Sequence, residues 1–166
     1  MRIVIGEDSA LIREGLARLL LDAGHNVAAK AADAEAVVAA VRQHHPDLLI
    51  TDVRMPPDMT DDGVRAARLL RSEFPTLPVV LLSQHIETTN SVELVTTGGF
   101  GYLLKDRVLE IDDFLDAVRR VAKGGTAIDP EAPADSIVTA VGIERDGFRE
   151  GRLAITASMV YEDPLT

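Results

Sequence analysis

From residue 2 to about residue 123, short apolar and β-branched runs alternate with longer stretches whose apolar positions recur every three or four residues. That alternation is the pattern of a parallel sheet flanked by helices. The runs Arg2–Gly6, Asn26–Lys30, Asp47–Thr51, Pro78–Leu82 and Gly101–Leu104 predict five strands. Three of them are nearly continuous apolar runs, as strands covered on both faces require, whereas Asn26–Lys30 is weaker and reads as an edge. Helices are predicted to begin near Ser9, Asp33, Asp62, Thr89 and Glu110. The first places Leu11, Gly15, Leu16, Leu19 and Leu20 near one face and stops at Ala23-Gly24, with a glycine suited to a C-cap. Asp33 can cap the second, and Pro46 lies beyond its end. The last carries Ile111, Phe114, Leu115, Val118, Val121 and Ala122 at helical spacing and ends at Gly124-Gly125.

Five such units predict an α/β domain over residues 1–124, a doubly wound five-stranded parallel sheet. A linker over 125–136 and a short C-terminal extension over 137–166 would follow. At 166 residues the chain has room for one ordinary domain and an appendage. No apolar run approaches the ~20 residues of a membrane span, and the chain starts directly on a strand-like run, so a cytoplasmic protein without membrane contact is expected. Cysteine is absent, which excludes disulfides, thiolate catalysis and thiolate-ligated metals. The net charge of −10 argues against broad contact with nucleic-acid phosphates, and dividing the chain after Asp129 leaves both parts acidic.

In a doubly wound sheet the chemistry gathers at the carboxyl ends of the strands. There the sequence offers Glu7 and Asp8 after the first strand, Asp52 after the third, Ser83 after the fourth and Lys105 after the fifth. Taken singly, each is an ordinary solvated turn residue. Together, three carboxylates at neighbouring strand ends repel one another unless a cation intervenes. Magnesium fits, because it prefers oxygen ligands, takes only one or two carboxylates directly and leaves positions for water and phosphate oxygens. Asp52 could then act as a nucleophile toward an activated phosphoryl group, with the Lys105 ammonium and the Ser83 hydroxyl meeting the transferring oxygens.

This ordered set resembles the receiver domain of two-component response regulators. The strings Asp52-Val53-Arg54-Met55-Pro56 and Gly101-Tyr102-Leu103-Leu104-Lys105-Asp106 resemble in particular the receivers of NarL/LuxR-like transcriptional regulators, over about residues 1 to 130. The resemblance implies a flavodoxin-like (CheY-like) strand order 2-1-3-4-5 and phosphorylation of Asp52 by a histidine kinase. It also implies Mg2+ held by Asp8, Asp52 and the backbone carbonyl of Arg54, with Glu7 acting through a metal-bound water. Ser83 and Lys105 would contact the phosphoryl group. Family receivers couple the Ser/Thr to an aromatic residue two positions before the Lys. Tyr102 lies three before Lys105, so it is a switch candidate whose plain reading is a tyrosine half buried at a strand end. The four histidines, His25, His44, His45 and His85, look unsuited to being phosphoryl donors, and His44-His45 reads as a helix end.

The string Gly124-Gly125-Thr126-Ala127-Ile128-Asp129-Pro130-Glu131 resembles the start of the family's linker, but residues 132–166 are too few for its helix-turn-helix domain, so direct DNA binding is not expected of this chain. Ile137–Glu144 and Arg152–Tyr161, around the turn-prone Arg145–Gly151, suggest a β-hairpin or disorder. A dinucleotide enzyme is disfavoured because Gly6-Glu7-Asp8-Ser9 would set carboxylates against a pyrophosphate. An aspartyl phosphatase is disfavoured because Arg54 stands where its acid/base Asp belongs. The chain is therefore read as a signalling phospho-acceptor rather than an enzyme acting on other substrates. The rival is a receiver-like module that dimerises or binds a partner without phosphorylation. A homodimer is a further expectation of the resemblance.

Overall fold

The computed structural model describes residues 1–84, 98–129, 148–149 and 152–153. The chain divides into two units, Met1–Leu82 and Ser83–Thr166. The first contains β1 (Arg2–Gly6), α1 (Ala10–Asp22), β2 (Asn26–Ala31), α2 (Ala34–His44), β3 (Leu48–Asp52), α3 (Asp62–Glu73) and β4 (Val79–Ser83), whose last residue opens the second unit. β1 pairs in parallel with both β2 and β3, and β3 pairs in parallel with β4. The apolar runs are continuous because these strands are covered on both faces. Ile3, Val4, Ile5, Leu48, Leu49 and Ile50 are fully buried, each burial contributing roughly 1.5–3 kcal/mol relative to exposure. β2 mixes exposed and half-buried positions, as an edge strand should.

Asp33 caps α2 as expected, its Oδ1 accepting the Ala36 N–H at 2.7 Å. α2 stops at His45, which adopts the left-handed conformation (φ 44°) just before Pro46. α1 follows Ser9, but its buried residues are Leu16, Ala17 and Leu20, while Leu11 is 86% exposed and Gly15 is exposed. The correction is geometric. At about 100° per residue, nine residues place Leu11 on the opposite side of the helix from Leu20. Between β3 and α3 the chain passes Met55, which is buried, and a cis Pro56–Pro57 bond.

The second unit contains β5 (Phe100–Leu104), a 3-10 helix (Lys105–Leu109), α4 (Ile111–Ala122) and β6 (Thr126–Ile128). α4 buries Phe114, Ala117, Val118 and Val121, whereas Ile111, at its first position, is exposed. It ends, as expected, where Gly124 takes a positive φ of 92°. β6 was not anticipated. Thr126–Ile128 fall in the stretch read as linker, yet they are buried and pair in parallel with β5, Tyr102 opposite Ile128. The sheet order is thus β2-β1-β3-β4-β5-β6, the expected order with one more strand at its end. The helix expected near Thr89, and His85 with it, lie outside the described residues. In the tail, Phe148–Arg149 (β7) and Arg152–Leu153 (β8) form a two-stranded antiparallel ladder. β7 therefore falls inside the segment read as the turn. Among the described residues no helix is long and apolar enough to cross a membrane.

Candidate functional site

β1 and β3 deliver the acidic residues. Gly6 ends β1 where a Cβ would come within 2.5 Å of Val37 Cγ2 and 2.7 Å of Thr51 Oγ1, so only glycine lets the strand end pack against β3 and α2 at this depth. Beyond it the Glu7 N–H donates to the Ala31 carbonyl at 2.9 Å, which fixes the backbone one residue past β1. The Glu7 side chain is buried, and its Oε1 accepts the Ser9 N–H at 3.1 Å. Arg13, on the first turn of α1, donates from Nη1 to the carbonyl oxygens of Glu7 at 2.8 Å and Asp8 at 3.4 Å. A cation thus holds the backbone of the acidic pair.

Asp52 is the last residue of β3, opposite Leu82 in the ladder, and is only 5% exposed. Its Oδ1 accepts the Arg54 N–H at 3.3 Å. One ligand oxygen from each of Glu7, Asp8 and Asp52 lies within 4.8 Å of the others. Like charges about 4 Å apart repel by roughly 4 kcal/mol at an effective dielectric of 20. The cluster is therefore costly as three free anions and well matched to a hard divalent cation. The donor set is all oxygen and Asp8 reaches solvent, so these residues fit magnesium with water completing its shell.

The loop after Asp52 is braced from below. Asp62, at the start of α3 and buried, accepts the backbone N–H groups of Asp58 and Thr60, both at 3.1 Å, and lies 3.4 Å from the Arg65 guanidinium. Burial would push the Asp62 carboxyl up, but the two amides and Arg65 outweigh it and hold the group below the usual carboxylate range. Gly63 donates its N–H to the Val53 carbonyl at 2.9 Å, and a Cβ at this position would overlap the Asp52 carbonyl oxygen. The first turn of α3 is thereby seated directly against the backbone of Asp52.

Ser83 is the buried last residue of β4. Lys105 follows the last residue of β5 and is half-buried, and Tyr102, three positions earlier, is 7% exposed rather than half buried. Arg54 is exposed on the loop after β3. Arg13, Asp62 and Gly63 are the functional neighbours that the sequence alone did not single out. Gly63 left a faint trace, since a glycine inside a predicted helix can mark a close approach of backbone. Arg13 left none, because a charged residue in a first turn is ordinary on any solvated helix, and Asp62 marked only the predicted helix start, not the amides it accepts.

The model of the response regulator receiver domain family matches residues 3–119. The transcriptional regulatory protein DegU of Brevibacillus brevis is 36% identical over 132 residues, which cover 79% of this chain and 54% of that protein. The probable transcriptional regulatory protein NarL of Mycobacterium tuberculosis is likewise 36% identical, over 78% of this chain and 58% of its own length. The chain thus spans little more than half the length of these relatives. The solved signal receiver domain of the putative response regulator NarL from Mycobacterium tuberculosis superposes with a TM-score of 0.58 at 34% identity, covering 71% of this chain and 95% of that one. The family match spans both the acidic residues after β1 and the end of β3, and the chain belongs to the response regulator receiver domain family, whose general role is to accept a phosphoryl group from a histidine kinase.

Proposed function

We propose that Asp52 is the phosphoryl acceptor of this chain and that Mg2+ sits at Asp8, Asp52 and the Arg54 carbonyl, with Glu7 acting through a water. The observation that carries this reading is the buried Asp52 carboxylate at the end of β3, gathered with Glu7 and Asp8 within 4.8 Å. An Asp52 oxygen attacks phosphorus, the bond to the donor's leaving group breaks, and an acyl phosphate remains on the side chain. Magnesium, when bound, neutralises charge on the phosphoryl oxygens. The Lys105 ammonium meets a second oxygen and the Ser83 hydroxyl donates to a third. Arg13 and Gly63 keep the carboxylates in register throughout, by holding backbone rather than by touching the reacting atoms. The donor is the phosphohistidine of a histidine kinase. The acquired charge of about −1.5 to −2 draws Ser83 and Lys105 in and biases the surface near Tyr102 toward its output state. By analogy with the transcriptional relatives, that output is regulation of transcription, exerted by a homodimer in the cytoplasm.

The site assignment is tested by chemical trapping. Acyl phosphates are reduced by borohydride to alcohols, so reduction after exposure to acetyl phosphate and Mg2+ should convert residue 52 to homoserine, read by peptide mass. Homoserine at another position would contradict the assignment of Asp52. The absence of any homoserine would favour the unphosphorylated binding module.

A further inference from the structure

β6 ends in a charge that the sheet does not need. Asp129 follows Ile128, its N–H donates to the Tyr102 carbonyl at 2.8 Å, and its side chain is completely buried. Its Oδ2 accepts the Leu104 N–H at 3.1 Å and the Arg107 Nε–H at 3.2 Å, while Oδ1 accepts from Arg107 Nη2 at 2.9 Å. Arg107 is itself largely buried and also reaches Glu110 at 2.5 Å. A buried carboxylate is tolerated only when paired and hydrogen-bonded, and the two-pronged guanidinium supplies both. An apolar residue would close the end of a three-residue edge strand at lower cost. The location of the pair explains what it gains. Leu104 immediately precedes Lys105 and Arg107 lies two residues after it, so one carboxylate holds the chain on both sides of the lysine.

We propose that Asp129 is a positioning residue for Lys105, acting with Arg107 to hold the lysine's backbone where the amine can meet a phosphoryl group. The function of this clamp rests on the reading of Lys105 as a phosphoryl ligand. It also places the control of that lysine in the stretch leading out of the receiver, where Pro130, with no N–H, follows in sequence.

The test uses the full chain with Asp129→Asn, which keeps the shape and one acceptor but removes the charge, and with Arg107→Gln and Arg107→Lys. The first readout is trace acetylation of lysine amines followed by peptide mass, with Lys30 and Lys123 as internal references, since the chain has three lysines. Asp129→Asn and Arg107→Gln should each change Lys105 labelling at least twofold relative to the references, and Arg107→Lys should lie between. The second readout is the rate of adduct formation from acetyl phosphate. Asp129→Asn should slow it about tenfold in the native background and not at all in a Lys105→Ala background, a non-additivity that a general loss of stability would not produce. Unchanged Lys105 labelling in folded variants would overturn the proposal, as would rate losses that simply multiply. If the native chain accepts no phosphate, the acceptor reading falls, and the labelling still decides the clamp.

Discussion

Gly63 makes the sharpest demand on a single residue near Asp52, because a Cβ there would overlap the Asp52 carbonyl oxygen. Backbone cannot swing aside as a flexible side chain can, so Gly63→Ala should lower unfolding free energy by about 1–3 kcal/mol, the usual cost of overpacking. Denaturant titration would show it, and an unchanged midpoint would mean that α3 is not seated as described. Asp62 makes an electrostatic demand instead. Its folded-state pKa lies below the unfolded value of about 3.9, so its contribution is fully present above that pH and is lost as pH falls through the lowered value. The stability difference between the native chain and Asp62→Asn should therefore hold steady from pH 7 to about 5 and shrink below about 4. A difference that grows in acid would contradict the amide bonds at Asp62. Glu7, Asp8 and Asp52 were legible in the sequence because their chemistry is carried by residue type at strand ends. Arg13 was not, and Gly63 left only a faint trace, because what they contribute is a distance to someone else's backbone.

At the scale of elements, one helix start was readable from its cap, Asp33, and the two side-chain caps among the described helices are unequal. The Asp33 carboxylate accepts the Ala36 N–H at 2.7 Å, whereas the Ser9 hydroxyl is 3.5 Å from the Ile12 nitrogen, at the limit of a hydrogen bond. Asp33→Ala should cost about 1 kcal/mol and Ser9→Ala clearly less, as measured by thermal unfolding. Equal losses would show that cap geometry is not what separates them. The face of α1 was misjudged because apolar residue type was counted ahead of angle. Leu11 is apolar but points away from the core, and Ala17 is small but points into it. β6 escaped notice for a different reason. Three residues carry too little alternation to announce a strand, and the feature that secures it, the Asp129–Arg107 pair, joins positions 22 apart in sequence.

For the whole molecule, fold class was legible because the βα alternation persists over more than a hundred residues, whereas the strand order was an expectation of the family resemblance rather than of the pattern. In the tail, the described residues hold only the short antiparallel ladder of Phe148–Arg149 and Arg152–Leu153, and the rest of the stretch for which a β-hairpin or disorder was expected lies outside them. A chain of net charge −10 that gathers three carboxylates should be stabilised by the cation that fits them. Mg2+ at 100 times its dissociation constant would add about 2.7 kcal/mol. The thermal midpoint of the native chain should rise accordingly, and that of Asp8→Asn should rise much less. Equal shifts would place the ion elsewhere.

The most direct test is intact mass after incubation with acetyl phosphate, with and without Mg2+, for the native chain and for Asp52→Asn. A single phosphate adduct that needs Mg2+ and disappears in the variant is the expected result; an adduct that persists in Asp52→Asn, or none under any condition, would contradict Asp52 as the acceptor.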